Sequence, residues 1–380
     1  MDFSLSEDQE LLQNTVRRFV AKDCGFALRA ITGASAAGWS RDNWAKLADL
    51  GLLALLIPEE HGGLGASAVE TMLVMEALGP ALMLEPYLAS AVIATTIIRD
   101  AADDNLQARF LPDMANGETI VVPAHDEPGS RAWPERVTSR YRLSGDDYLL
   151  SGAKSVVAHA AAADHLIVSA RGDGADTDRQ GISLFLVPTD ATGLMIDSYT
   201  LIDGSRAAEV HLRGVRLPQS SLLGVAGQGF DALQRGLDFG LAALCAEAVG
   251  VMKACLDATI DHLQARRQFG QPLGRFQALQ HRVADMLLWH EQALSMSRLA
   301  AARCTSPDPL TKRRALSAAK VTIGRAARFI GQESVQLHGG MGMSDELVVS
   351  HWFKRLLSIE LAQGDTDTHL QEFINATRSH

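Results

Sequence analysis

The sequence predicts an α+β multidomain protein, with a β domain between two helical domains. Three observations carry this. Helical periodicity runs through the first ~120 residues, short β-forming runs alternate with turns from about Val121, and helices return from about Gly229. The composition is 47% hydrophobic but only 6% aromatic, an Ala- and Leu-rich balance that favours packed helices over an all-β fold. The boundaries are expected at 1–120, 121–227 and 228–380, and 380 residues suffice for two or three cores.

Each element has its own signal. Ser6 before Glu7-Asp8-Gln9-Glu10 reads as a capped start with acids in the first turn, and Leu11, Leu12, Val16, Phe19 and Val20 follow at helical spacing. Ser40 starts a second helix with Trp44, Leu47 and Leu50 on one face and Gly51 as its stop. Pro58 to Gly65 is loop, and helices are expected over Val69 to Leu78, Ala89 to Arg99 and Leu106 to Ala115. Strands are expected at Tyr141-Arg142-Leu143, Tyr148-Leu149-Leu150, His165 to Ala170, Ile182 to Val187 and Glu209 to Leu212. Long helices then run over Phe230 to Gln264, Ala278 to Cys304, Thr311 to His338 and Ser350 to Ala362, the pattern of an antiparallel bundle.

The net charge of -10 argues against nucleic acid, which needs a basic face. Cys24, Cys245, Cys255 and Cys304 form no C-x-x-C pair and read as small buried hydrophobes in a reducing compartment. Met1-Asp2-Phe3-Ser4 lacks the features of a secretory signal, and no apolar run approaches the roughly 20 residues of a membrane span. A soluble, cytoplasmic protein is the expectation.

The local motifs say more than the layout. Gln264 to Gly274 (QARRQFGQPLG), followed by Phe276-Gln277 and Ala284-Asp285-Met286, resembles the R-x-x-F-G…F-Q…A-D-M signature of the acyl-CoA dehydrogenase family. Val335 to Met343 (VQLHGGMGM) resembles its V-Q-x-x-G-G-x-G segment. Asn43 to Glu60 with His61 to Gly65 resembles its N-terminal loop, and Gly227-Gln228-Gly229-Phe230 its β-to-α junction. The likeness runs in order along the whole chain, and among subfamilies it is most similar to the small subunit of pimeloyl-CoA dehydrogenase.

The resemblance implies an N-terminal helical domain, a middle β domain, a C-terminal four-helix bundle, and FAD as cofactor. It implies α,β-dehydrogenation of an acyl-CoA thioester: a carboxylate removes the α-proton and the β-hydrogen leaves as hydride to the flavin. Electron-transfer flavoprotein and either a homologous larger subunit or a second copy of this chain are the implied partners; the rival reading is a catalytically silent structural subunit that only completes a partner's FAD site. In the family, the counterparts of Arg266, Gln268 and Phe269 reach across a dimer interface to the neighbour's cofactor, as do those of Gln336, Gly339 and Gly340. Arg supplies a planar fork for phosphate, and glycines let backbone approach a ligand. Without the motif, Arg266 would read as a solvated helix-end cation and the glycines as a helix-to-helix turn.

The sequence departs from the family where the flavin ring would be received. Lys154-Ser155-Val156-Val157-Ala158-His159 puts Val156 at the usual Trp and Ala158 at the usual Thr. The loop Ala124 to Ser130 is shorter than the family's, with Ser130 expected on the cofactor. His159 reads as a surface residue rather than a catalytic one. The two usual base positions hold Gly240 and Gln363. Glu247, among Ala243, Leu244, Gly250 and Val251, is the remaining candidate base. A buried acid paired with an Arg, or an interface contact, are the other readings of it.

Overall fold

The structure, a computed structural model, describes residues 5–130 and 133–378. The expectation placed on Met1 to Ser4 lies outside them. Eleven α-helices are present among the described residues: α1 (Glu7–Asp23), α2 (Phe26–Ala34), α3 (Arg41–Asp49), α4 (Ala68–Leu78), α5 (Thr95–Ala101), α6 (Asp104–Ala115), α7 (Phe230–Ala265), α8 (Gln277–Arg303), α9 (Pro309–His338), α10 (Val348–Leu361) and α11 (Thr366–Arg378). Contacts gather the chain into two compact units, each built from pieces separated in sequence. The first unit gathers 1–30, 68–83 and 241–380; the second gathers 31–67 and 84–240.

The first unit is helical. Ser6 Oγ accepts from Gln9 N at 3.2 Å while Gln9 Oε1 accepts from Ser6 N at 3.1 Å, a complete capping box that fixes where α1 begins. Val16 and Phe19 of α1 are buried, and α1 packs on α4. Helix α9 is the hub, with α8, α10 and α11 all packed on it. Asp308 caps α9 through Leu310 N and Thr311 N, and Pro309 occupies the first turn, where a missing N–H is harmless. Helix α7 closes on α4 at Gly250, where a Cβ would stand 1.9 Å from the Glu76 carbonyl oxygen.

The second unit is a sheet with helices packed on it. Strands β1 (Val121–Ala124), β2 (Arg140–Ser144), β3 (Asp147–Ala158), β4 (His165–Arg171), β5 (Ile182–Pro188), β6 (Leu194–Thr200), β7 (Arg206–Pro218) and β8 (Leu222–Leu223) form one sheet. Its order is β6-β7-β3-β2-β4-β5-β8, with β1 parallel to β4. Residues from α5, α6, β1, β4, β5 and the start of α7 share one core, including Ile97, Phe110, Leu111, Val121, Ile167, Leu184 and Leu233. The reach of α7 corrects the expectation about apolar runs. It is long and apolar enough to cross a membrane by composition, but 89% of that window is buried within the protein.

Two local readings also change. The helix expected over Ala89 to Arg99 is a π-helix at Tyr87–Ala94 that tightens into α5. The Thr95 hydroxyl donates to Ser90 O, five residues back, at 3.1 Å, which suits the wider register. Strand β6 escaped notice because it is a half-exposed strand, with Asp197 and Ser198 exposed, and so carries no apolar alternation.

Beneath the sheet lies a buried polar cluster. The Lys154 ammonium donates to Glu127 Oε1 (2.6 Å), Ser169 Oγ (3.0 Å) and His125 O (3.2 Å), so its three donors meet three acceptors. Burial raises the Glu127 carboxyl, but the charge and hydrogen bonds of Lys154, with those of Thr138 and Ser139, outweigh it and hold the group at about 2. Burial, reinforced by the Lys154 charge, pushes the His125 imidazole down to about 3, so it is neutral, with Nδ1 2.9 Å from Ser169 Oγ. Both folded-state values lie below the unfolded ones, so the contribution of these two groups is full above about pH 6.5. It falls as the pH drops toward 3, first through His125 and below about 4.5 also through Glu127. The expected slope is at most ~1.4 kcal/mol per pH unit for each group. His125→Gln should flatten the first part of the unfolding free energy measured against pH. An unchanged slope in the variant would remove His125 from this account.

Candidate cofactor and substrate site

Three segments of the first unit and one of the second carry the residues singled out from sequence. At the end of α7, Arg266 N donates to His262 O at 2.8 Å, and the chain turns through a hairpin of β9 (Arg267–Gln268) and β10 (Gln271–Pro272). The two turn residues, Phe269 and Gly270, both have positive φ, as a two-residue hairpin requires. Phe269 is 88% exposed and meets Phe276 edge-on at 6.1 Å. Gln268 is exposed, its side-chain amide donating to the neighbouring Arg267 O. Arg266 is exposed and forms no ion pair among the described residues.

At the end of α9, Gln336 is exposed and His338 is buried. Gly339 takes φ 63°, which explains its glycine. Gly340 does not share that conformation, and a Cβ on either residue would meet nothing of this chain within 4 Å. Nothing inside the chain therefore demands glycine at 340. A molecule that approaches the backbone closely would, so this segment fits the nucleotide half of FAD. His262 and His338 stack with ring centroids 4.4 Å apart, linking the ends of α7 and α9.

The third segment is the turn between α10 and α11. Gln363 has φ 54° there, followed by Gly364. The buried Lys320 ammonium, on α9, donates to the carbonyls of Ile359, Glu360, Ala362 and Gly364 at 2.8–2.9 Å, and so ties down the end of α10 and the turn.

Glu247 requires a correction. Its Oε1 accepts from Arg355 Nε at 2.6 Å and its Oε2 from Arg355 Nη2 at 2.7 Å, a bidentate pair that commits both carboxylate oxygens. A general base needs a free lone pair aimed at substrate. The geometry matches the ion-pair reading of Glu247 rather than the base reading.

The β domain offers the flavin ring little. Val156 and Ala158 are exposed, with neither a hydroxyl nor an aromatic ring to present. Val156 sits at a register shift of β3 with φ 52°, a conformation unfavourable for a β-branched side chain. Ser130 is turned inward: it is buried, its N–H donates to Glu127 O and its Oγ accepts from Glu127 N at 3.3 Å. Its side chain builds the turn rather than facing outward, which corrects its placement on the cofactor. His159 takes a left-handed φ of 58° at the end of β3.

Sequence reasoning missed Arg355, Lys320 and His262. Arg355 lies 108 residues from Glu247, and no periodicity links them. Lys320 binds backbone carbonyls, which leave no mark in sequence. His262 could have been found from its position one helical turn before Arg266.

Comparison with known proteins completes the picture. The chain matches the acyl-CoA dehydrogenase N-terminal domain over residues 6–118, the middle domain over 124–215 and the C-terminal domain over 227–376. It is 29% identical to the probable acyl-CoA dehydrogenase YngJ of Bacillus subtilis (strain 168), over 97% of each chain. It is 32% identical to acyl-CoA dehydrogenase FadE12 of Mycobacterium tuberculosis (strain ATCC 25618 / H37Rv), over 81% of this chain and 80% of that one. A solved structure of the Tcur3481-Tcur3483 steroid ACAD superposes with a TM-score of 0.88 at 26% identity, covering 99% of both chains. The chain belongs to the acyl-CoA dehydrogenase family, FAD-dependent oxidoreductases that dehydrogenate acyl-CoA.

Proposed function

We propose that this chain is one subunit of a hetero-oligomeric acyl-CoA dehydrogenase, in which it completes a cofactor site whose flavin ring lies in a homologous partner. One asymmetry carries the reading. The residues that would be given to a neighbour's FAD, Arg266, Gln268, Phe269, Gln336, Gly339 and Gly340, are all exposed. On the receiving side, Val156 and Ala158 offer only methyl groups and Ser130 is committed to its own turn.

FAD, when bound, accepts the hydride lost from the acyl β-carbon. In this chain Arg266 would hold cofactor phosphate, and Gln336 with the Gly339–Gly340 backbone would hold the nucleotide end. The absence of a carboxylate at Gly240 and Gln363, with Glu247 committed to Arg355, favours a partner that supplies the base. The substrate is read as a CoA thioester, dicarboxylyl as in the pimeloyl-type subfamily. Electron-transfer flavoprotein is the electron acceptor in this reading, and the cytoplasm the compartment.

The expected assembly carries one FAD per two chains, one of each kind. Flavin absorbance against protein mass, for this chain made alone and after co-expression with its partner, measures this. One FAD per chain, or a flavin-saturated active assembly of this chain alone, would overturn the proposal.

A further inference from the structure

His262, Arg266 and His338 bring three basic side chains to the place where α7 and α9 both end. His262 lies in the last turn of α7, and Arg266 directly follows the helix, its N donating to His262 O at 2.8 Å. His338 is the last residue of α9, directly before Gly339 and Gly340. Helix C-termini carry partial negative charge, which cationic side chains offset. His338 Nδ1 lies 2.7 Å from Ser334 O. A carbonyl only accepts, so Nδ1 carries a proton there. The stack thus couples the Arg266 hairpin to the glycine segment.

His262 is the group poised to titrate. Burial draws its imidazole below its ordinary value, and the neighbouring His338 and Arg266 draw it further. Of the nearest acids along α7, Asp257 is paired with Lys253 and Asp261 is exposed.

We propose that His262, braced by His338, is a proton-linked phosphate-binding residue: it takes up one proton when the diphosphate of FAD settles beside Arg266. This rests on the reading that Arg266 and the Gly339–Gly340 segment face the cofactor. A dianion beside Arg266 removes the repulsion that keeps the ring neutral, so the bound-state value lies above the free-state value. By linkage, affinity is flat above the bound-state value, strengthens as the pH falls through it, and levels off below the free-state value. Each pH unit inside that window changes affinity by at most about tenfold.

The test uses the deflavinated assembly of full-length chains titrated with FAD from about pH 6 to about pH 8, the range in which histidine titrates. Calorimetry in two buffers of different ionisation enthalpy reads the proton directly, with no variant needed. The expected result is tighter binding at the lower pH with uptake approaching one proton, and both effects lost in His262→Gln. His338→Gln should reduce both, since the brace is gone. Flat affinity with no uptake in the unaltered protein overturns the proposal, as does an unchanged pH profile in His262→Gln. Arg266→Ala separates the layers. If it weakens FAD binding by about 10- to 150-fold while no proton is taken up, only this proposal falls. If it leaves affinity unchanged, the underlying reading falls with it.

Discussion

Glu247→Gln is expected to lower stability by about 3 kcal/mol while leaving flavin reduction by substrate intact in the folded assembly. The change removes one partner of a largely buried bidentate pair and leaves the Arg355 guanidinium, whose side chain is 22% exposed, without its carboxylate. Breaking such a pair costs more than the pair contributes over an apolar replacement. Replacing both residues, Glu247→Leu with Arg355→Met, should therefore recover much of the loss. Urea unfolding reads the stability, and anaerobic bleaching of the flavin by substrate reads the chemistry. A variant of unaltered stability that no longer bleaches would restore Glu247 as the base and refute the ion-pair account.

Lys320→Met is expected to cost about 3–5 kcal/mol. It withdraws every donor from four carbonyl oxygens that converge at the end of α10. Lys320→Arg should not restore the loss, because a planar fork cannot replace a compact ammonium among converging acceptors. Burial pulls the ammonium down to about 8, against the opposing pull of Cys245, Glu360 and Asp365. The folded value lies below the unfolded one, so stability should rise from about pH 8 toward ~10.4 in the unaltered protein and not in the variant. A loss under about 1 kcal/mol would show that the turn at Gln363 holds without the lysine.

These two residues mark where sequence reading stops. The capping box at Ser6, the Ser40 cap of α3 and the full extent of α7 follow from local chemistry, and all three are seen. So does the change from helix to strand near Val121, where β1 begins. Helix α11 was not anticipated: Thr366–Arg378 mixes polar and apolar residues, and its start is fixed by Asp365 accepting from Thr368 N at 2.8 Å. Of the candidate site, the Arg266 and Gly339–Gly340 segments stood out through their likeness to the family motifs, and both are exposed; spacing alone would have left a helix-end cation and a helix-to-helix turn. The commitment of Glu247 was not, because its partner is set by tertiary packing of α7 against α10. Nor was the inward turn of Ser130, which depends on a loop conformation that its shortened sequence does not reveal.

The composition of the first unit bears on how the protein is made. Its pieces come from residues 1–30, 68–83 and 241–380, and α4 buries most of its length, Met72, Leu73, Val74 and Leu78 included. During synthesis α4 leaves the ribosome long before α7 exists to cover it. At roughly 5–20 residues per second, that apolar surface waits on the order of ten seconds or more for its packing partner. The second unit, complete once residue 240 has emerged, can condense first. Nascent chains of this protein should therefore engage holding chaperones through α1 and α4, and a chain truncated before α9 should be an aggregating species rather than a smaller folded one.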